Sequence, residues 1–445
     1  MKHLFTAAFV ITALAASAQE HFAGMGNASH TGILRGSVNP AEFSNLSSKY
    51  EVNLFGISTK AANNKISIGD MGNDNVDELI FSGNEPVNFS IDTEILGPGF
   101  AMRYGNWGFG FTSRGNVKAQ LVDVDVDLGD AITNSSGNAT SAVTTLTNSG
   151  NQRLHATVWG ELGFSASRLL YNTSKHQFSG GVTVKILFPG SYANFGAGKF
   201  TGTVDHDAET LTNAQASLNI AYSGNLGEDF SSADDYLNSI FGSPNGIGLD
   251  LGVNYRLKAT DSLGYRINAG ASVRNIGSMT FKSGNNSDTN YDLSIQGAEA
   301  LDLTQFEDAS GLEEIEDLLI QSGYLNRTQN LARDFRVKLP TTFIAYADVR
   351  VVSKFYVSVL TQQRLNDQAD NKQVPVENIT SLTPRFSLSK FEVFSPWAIN
   401  EISGLTGGFG MRIGVFYMGS GSAITALAGS GKQFDFYMGF RFGLK

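Results

Sequence analysis

Toward the end of the chain, large apolar side chains recur at every second position. Phe434, Phe436, Met438, Phe440, Phe442 and Leu444 share one face, and Asp435, Tyr437, Gly439, Arg441 and Gly443 share the other. A period of two is the signature of a strand. The same alternation sets Ile247, Leu249, Leu251, Val253, Tyr255 and Leu257 against Gly248, Asp250, Gly252, Asn254 and Arg256. After a turn at Thr260 to Ser262, it sets Tyr265, Ile267, Ala269, Ala271 and Val273 against Arg266, Asn268, Gly270, Ser272 and Arg274, so the two runs form a hairpin. Phe409, Met411, Ile413, Val415 and Tyr417 alternate in the same way with Gly408, Gly410, Arg412 and Gly414.

Such runs predict strands at 50–59, 87–104, 107–117, 153–171, 177–188, 195–204, 213–223, 247–258, 264–276, 342–351, 355–362, 383–394, 405–417 and 433–444. Gly97-Pro98-Gly99 marks a kink or bulge in the second run, since proline donates nothing to a ladder. If residues 19–48 start in the periplasm, the joins at 105–106, 172–176, 205–212, 259–263, 352–354 and 395–404 fall on that side and are short. Those at 60–86, 118–152, 189–194, 224–246, 277–341, 363–382 and 418–432 face outward and are mostly long. Short turns at one end and long loops at the other are what an antiparallel up-and-down transmembrane β-barrel of about fourteen strands has. Helical spacing at Asp229 to Phe241 and at Leu312 to Ser322 predicts short helices in two extracellular loops. The second is either a partner-facing cap or an element packed on its own barrel rim.

Composition supports this reading. The chain has 49 Gly, 31 Phe and 14 Tyr but only 9 Pro and 17% charged residues, a mixture suited to strands, tight turns and an aromatic lipid boundary. Cysteine is absent, which excludes disulfides, thiolate metal sites and Cys nucleophiles. A formal charge of −10 argues against a nucleic-acid partner. Lys2 and His3, the apolar stretch Leu4 to Ala15 and Ala16-Ser17-Ala18 read as a signal peptide over 1–18, with the mature chain beginning at Gln19. No downstream run is long and apolar enough for a membrane helix, so only a closed sheet would satisfy the backbone in lipid.

The organisation expected is therefore a signal peptide at 1–18, an N-terminal periplasmic or hatch segment at 19–48 and a barrel at 49–445. The irregular, glycine-rich N-terminal segment either folds into the lumen or lies in the periplasm. Arg114, Asp250, Arg256, Arg266, Arg274, Asp348, Arg350, Arg412, Asp435 and Arg441 fall on polar strand faces and are expected to face the lumen. They form either a pathway for anionic or amphipathic solutes or an ion-paired filling. Gly248, Gly252, Gly270, Gly408, Gly410 and Gly414 share that wall and would admit a close-lying plug. Gly439, Phe442 and Leu444 resemble the C-terminal signal read by the barrel assembly machinery.

No catalytic constellation is present in the pattern, and no cofactor is expected. His21, His30, His155, His176 and His206 have no metal-ligand spacing and read as ordinary polar residues. Asp123, Asp125 and Asp127 alternate with Val122, Val124, Val126 and Leu128; they are either a hard-cation site or a solvated strand extension, and the second fits the missing glycine-anchored spacing better.

The exported chain with its Asn39-Pro40-Ala41 element and about fourteen strands resembles the long-chain fatty-acid transporter (FadL-like) superfamily of outer-membrane barrels. GIGLDLGVNY at Gly246 to Tyr255, SVRNIG at Ser272 to Gly277 and Leu339-Pro340-Thr341 are similar to its Bacteroidota branch, which includes the PorV-type accessory barrel of type IX secretion. The resemblance implies a lumenal hatch containing Asn39, Pro40 and Ala41. It implies an outer-membrane location with lipid as neighbour, and one of two functions. One is passive passage of hydrophobic or amphipathic small molecules; the other is a non-transporting scaffold beside a secretion-system channel. A transporter would have a continuous apolar pocket from loops to hatch, and a scaffold a filled lumen. An enzyme would need a convergent rim of catalytic groups that the spacing does not provide.

Overall fold

A computed structural model describes residues 21–27, 32–72, 76–133, 143–224, 242–259, 264–282, 285–306, 309, 311–329 and 332–444. The expected signal peptide at 1–18, His30 and the expected helix at Asp229 to Phe241 lie outside them.

The chain closes into a ring of fourteen antiparallel strands. They are β1 (Tyr50–Asn63), β2 (Val87–Leu96 continuing as Gly99–Tyr104), β3 (Trp107–Val124), β4 (Asn151–Asn172), β5 (His176–Asp205), β6 (Gly246–Lys258) and β7 (Tyr265–Lys282). There follow β8 (Thr342–Val352), β9 (Phe355–Arg364), β10 (Ile379–Ser387), β11 (Phe391–Phe394 with Trp397–Asn400), β12 (Gly404–Gly407 with Phe409–Ile413), β13 (Phe416–Ser420) and β14 (Gln433–Leu444). Each pairs with the next, and β14 closes on β1 from Tyr50 opposite Leu444 to Ala62 opposite Gln433. Closure leaves no sheet edge in the ring, the condition for a sheet to sit in lipid.

Membership of the ring differs from the sequence reading in four places. The runs 177–188 and 195–204 are one strand, the 30-residue β5, whose upper half rises beyond the ring, so 189–194 is no loop. The run at 213–223 lies in a strand (Thr210–Tyr222) that pairs with this upper half and not with the ring neighbours, so the join at 205–212 belongs to the loop end. The runs at 383–394 and 405–417 each hide a tight turn, at Leu388 to Lys390 and at Gly414-Val415, while 401–403 turns at the loop end. Gly414 takes φ +58°, the left-handed conformation that a two-residue hairpin needs. That turn inverts the phase of the alternation, so Tyr417, read as outward with Phe409 and Ile413, is wholly buried inside. Two strands lost and two gained leave the total unchanged.

The apolar face of the ring points outward. Phe164, Leu251, Val253, Phe386, Ile413 and Phe434 are between 39% and 61% exposed, a density of bare aliphatic and aromatic surface that a water-facing protein seldom tolerates but lipid covers. Gly97-Pro98 interrupts β2, with Gly97 N–H donating to the Ser113 carbonyl and Ser113 Oγ–H to that of Pro98.

Above the ring at the loop end sits a folded head. The upper half of β5, Val143–Thr147, Thr210–Tyr222, Ser287–Ser294 and Leu325–Arg327 extend the sheet around a core of Phe200, Leu218, Ile220, Tyr291, Leu293 and Leu319. The helix Leu312–Gln321 packs on this core. Glu316 on this helix is buried, accepting hydrogen bonds from the Tyr222 hydroxyl at 3.0 Å and the Tyr291 hydroxyl at 2.5 Å.

Candidate functional site: a lumen closed from both ends

The N-terminal segment lies inside the ring. A short helix, Gly32–Val38, leads into Asn39 and a 3₁₀ turn at Pro40–Asn45, nearly all of it buried. Asn39 caps that turn through Oδ1, which accepts the Ala41 N–H at 3.0 Å, and its Nδ2 donates to the Val253 carbonyl at 2.8 Å and the Tyr346 hydroxyl at 3.2 Å. Proline at the first helical position costs no hydrogen bond there. A Cβ on Gly252 would stand 2.0 Å from Asn39 Oδ1, and one on Gly270 2.7 Å from Asn39 Nδ2. Gly181, Gly108 and Gly110 are similarly filled by Pro40, Ala41 and Phe43. Of the other wall glycines named from sequence, Gly248 meets Leu339 and Lys185, Gly408 meets Ser420 and Gly421, Gly410 meets Phe394 and Tyr437, and Gly414 faces open space in its turn.

Glu42 is the polar centre of the segment. Its carboxylate accepts Arg256 Nη2 at 2.6 Å, Arg35 Nη2 at 3.1 Å, Asn268 Nδ2 at 2.8 Å and the Tyr346 hydroxyl at 2.8 Å. A buried charge is tolerable only when paired and hydrogen-bonded in this way. Phe22, Met25, Ile33, Leu34, Phe43 and Leu46 complete the seat by packing on Leu96, Ala101, Phe394, Tyr417 and Tyr437.

The charged wall residues mostly converge on the lumen, and their excess of arginine is met by acids that the alternation did not single out. Arg114 faces Glu94 and Glu161 at 3.3 Å each; Asp250 pairs with Lys185 at 3.0 Å; Arg441 pairs with Glu51 at 2.9 Å. Asp348, Arg385, Glu392 and Arg412 form a chain of ion pairs at 2.6, 2.6 and 3.2 Å, wholly shielded from solvent. Asp435 accepts from Gly421 N–H and Ser422 Oγ–H, and Arg350 sits half-buried opposite Tyr356. Arg274 is half-buried and lines the central cavity. Arg266 is the exception. A bulge between Tyr265 and Ile267 shifts the phase, so Arg266 is exposed while Tyr265 turns inward to Asp348. His21 also joins the lumen, bonded to Ser58 at 3.1 Å and Asp92 at 3.0 Å, and His155 lies buried beside Arg153.

A second plug descends from the loop end. Residues 365–378, between β9 and β10, fold across the mouth. Fully buried Arg153 donates to the carbonyls of Gln368 at 2.7 Å, Gln373 at 3.0 Å and Asn371 at 3.3 Å, and the Tyr192 hydroxyl reaches Asn371 O at 2.7 Å. Glu377 reaches the opposite wall, accepting from Lys60 Nζ at 2.8 Å and Ser90 Oγ at 2.6 Å. Asp370, outside the membrane span, is held below the usual carboxylate range. Burial pushes it up, but the Lys338 ammonium and the Lys372 N–H outweigh that.

Between the plugs is a chamber of about 70 Å³, lined by the apolar Phe22, Leu34, Leu96, Trp159 and Val376 intermixed with the charged Glu94, Arg114, Lys118, Glu161 and Arg274. It has room for a few waters; a benzene-sized guest takes a cavity of about 150 Å³. The continuous apolar pocket from loops to hatch expected of a transporter is not found among the described residues; the chamber is small and mixed in lining.

Gly439 faces inward against the Tyr417 hydroxyl, while Phe442 and Leu444 end the outward face of β14. The Asp123, Asp125 and Asp127 alternation is not a strand face. β3 ends at Val124, Asp123 takes φ 51°, and Asp125 caps the helix Val126–Thr133 by accepting the Asp127 N–H at 3.0 Å. Among the described residues no group of three or more His, Asp or Glu is placed to hold a metal.

Fold and lumen together define a membrane-spanning β-barrel with its own N-terminal segment seated inside. The chain belongs to the family described as a family of unknown function (DUF5723), whose model matches residues 40–421. No curated protein matches the sequence. Among solved structures, the chain is similar to a deltaS2S3 mutant of TodX, a monoaromatic hydrocarbon channel (9% identity, 96% of this chain and 100% of that one, TM-score 0.49). It is also similar to the Pseudomonas putida toluene transporter TodX (9%, 94% and 94%, 0.43) and the Ralstonia pickettii toluene transporter TbuX (12%, 94% and 95%, 0.40).

Proposed function

We propose that the chain is an outer-membrane barrel for the passive passage of hydrophobic or amphipathic small molecules, held shut in the state described. In this reading the short turns face the periplasm, the head faces outward, residues 1–18 are removed on export, and residues 19–48 are the hatch. The observation that carries it is the chamber left between two separately anchored plugs, lined by apolar and charged side chains together. Neither plug contributes a strand to the closed ring, so the ring does not depend on either being in place. Passage then requires one plug to yield, since the chamber as it stands is smaller than a monoaromatic guest.

A second reading has a specific observation in its favour. The chain of fully buried ion pairs from Asp348 to Arg412 fills the lumen near the short turns, as a non-transporting scaffold for secretion or surface assembly would allow. Whole-cell uptake separates the two. Deleting the gene should slow entry of a radiolabelled hydrophobic solute, and restoring it should recover the rate. Unchanged uptake, with the barrel co-purifying with a large secretion channel, would favour the scaffold.

A further inference from the structure

The rim at the short-turn end carries a charge opposite to that of the chain. Overall the formal charge is −10, yet Lys49, Arg168, Lys175, Arg266, Lys354 and Lys390 are all exposed at this end. None of the six has an ion pair with a carboxylate among the described residues. Asp348, Glu392, Glu51 and Glu42 lie nearby but are buried in the lumen, and the one acid in the short-turn segments, Asp261, lies outside the described residues. These cations follow the ring from turn to turn and do not gather on one arc.

Exposed aromatics are interleaved with them. Tyr104 is 71% and Tyr171 58% exposed, Trp107 and Phe109 stack at 6.1 Å, and Tyr50 stacks on Phe100 at 6.2 Å. Lys49 Nζ lies 5.2 Å from the Tyr50 ring centroid and the Arg168 guanidinium 5.1 Å from that of Trp107. Aromatic rings of this kind settle at the level of lipid headgroups, with apolar bodies toward the acyl chains. Cations held on their faces are thereby fixed at phosphate depth, where each attracts anionic lipid.

We propose that the short-turn rim is a binding belt for anionic phospholipid headgroups in the adjoining leaflet. A ring continuous with the lipid-facing band meets lipid along its whole circumference, whereas an acidic protein partner would leave most of it uncovered. The proposal rests on the barrel spanning a bilayer and is independent of what passes through it.

The test uses the full mature chain reconstituted in phosphatidylcholine bilayers containing spin-labelled phosphatidylglycerol or phosphatidylcholine. At low salt, the motionally restricted fraction should show phosphatidylglycerol favoured by roughly three- to tenfold, with the preference falling toward unity in 0.5 M salt, an ionic strength at which the screening length is only about 4–5 Å. A variant carrying Arg168→Gln, Lys175→Gln, Arg266→Gln, Lys354→Gln and Lys390→Gln should lose the preference. One carrying Lys65→Gln, Lys199→Gln and Lys282→Gln, at the loop end, should keep it. Heat-modifiable migration on gels checks that the variants still fold. No preference in the unaltered chain, or a preference that survives the rim substitutions, overturns the proposal. Binding of an acidic polypeptide with no lipid preference would assign the rim to a protein partner instead.

Discussion

Glu42 in the N-terminal segment and Arg256 on β6 are 214 residues apart in sequence and 2.6 Å apart in space. The pair ties the lumen filling to the wall, with Arg35, Asn268 and Tyr346 completing the carboxylate's partners. Removing one member of a buried pair leaves the other uncompensated, at a cost of about 3–5 kcal/mol. Glu42→Gln leaves two cations so exposed to penalty, and should loosen the segment while the barrel stays closed. Limited proteolysis in detergent should then cleave near residues 28–48 in the variant at protease levels that spare the unaltered chain.

Shape alone should unseat the same segment. Gly252→Ala drives a methyl into the Asn39 side chain, whereas Gly311, a loop glycine with nothing within 4 Å, takes a methyl freely. In planar bilayers Gly252→Ala should raise conductance, and Gly311→Ala should leave it as it was.

The head should be separable from the barrel. Glu316→Ala leaves the buried Tyr291 hydroxyl and the half-buried Tyr222 hydroxyl without their acceptor, a loss of about 1–3 kcal/mol for the buried one. Proteolytic sensitivity should rise within residues 285–329, with the heat-modifiable gel shift of the barrel unchanged.

The outer plug should respond to acid. Because the folded carboxyl of Asp370 ionises more readily than its free counterpart, its contribution to holding residues 365–378 is present above the ordinary carboxylate value of 3.8. It is lost as the pH falls through the depressed one. The chain has no cysteine, so a fluorophore on Ala369→Cys reports this segment alone. Its mobility should be flat from pH 8 to 5 and rise below about pH 4; Asp370→Asn should show the mobile signal throughout.

How far the sequence discloses this architecture depends on what each face meets. The outward face of β6 and β14 meets lipid along its length, so Ile247 to Leu257 and Phe434 to Leu444 keep strict alternation. Where a strand leaves the bilayer the rule lapses: the upper half of β5 pairs with the head and reads like another barrel strand. At Gly414-Val415 a two-residue turn needs no polar break and hides between two apolar runs. The lumenal arginines are legible as a polar face, but their partners are not. Which acid meets Arg114 or Arg441 depends on the stagger of strands around the ring, and Glu51, Glu94 and Glu161 become partners only once it closes. Asn39-Pro40-Ala41 was noticeable as a turn, while Glu42 beside it gave no local sign of being the anchor.

Single-channel recording in planar bilayers, comparing a chain that begins at residue 19 with one that begins at residue 49, tests most directly whether the lumen is shut by its own N-terminal segment. The unaltered chain should be silent and the shortened one should conduct in steady steps. Equal conductance from the two, or silence from the shortened chain despite a correctly folded barrel, would contradict it.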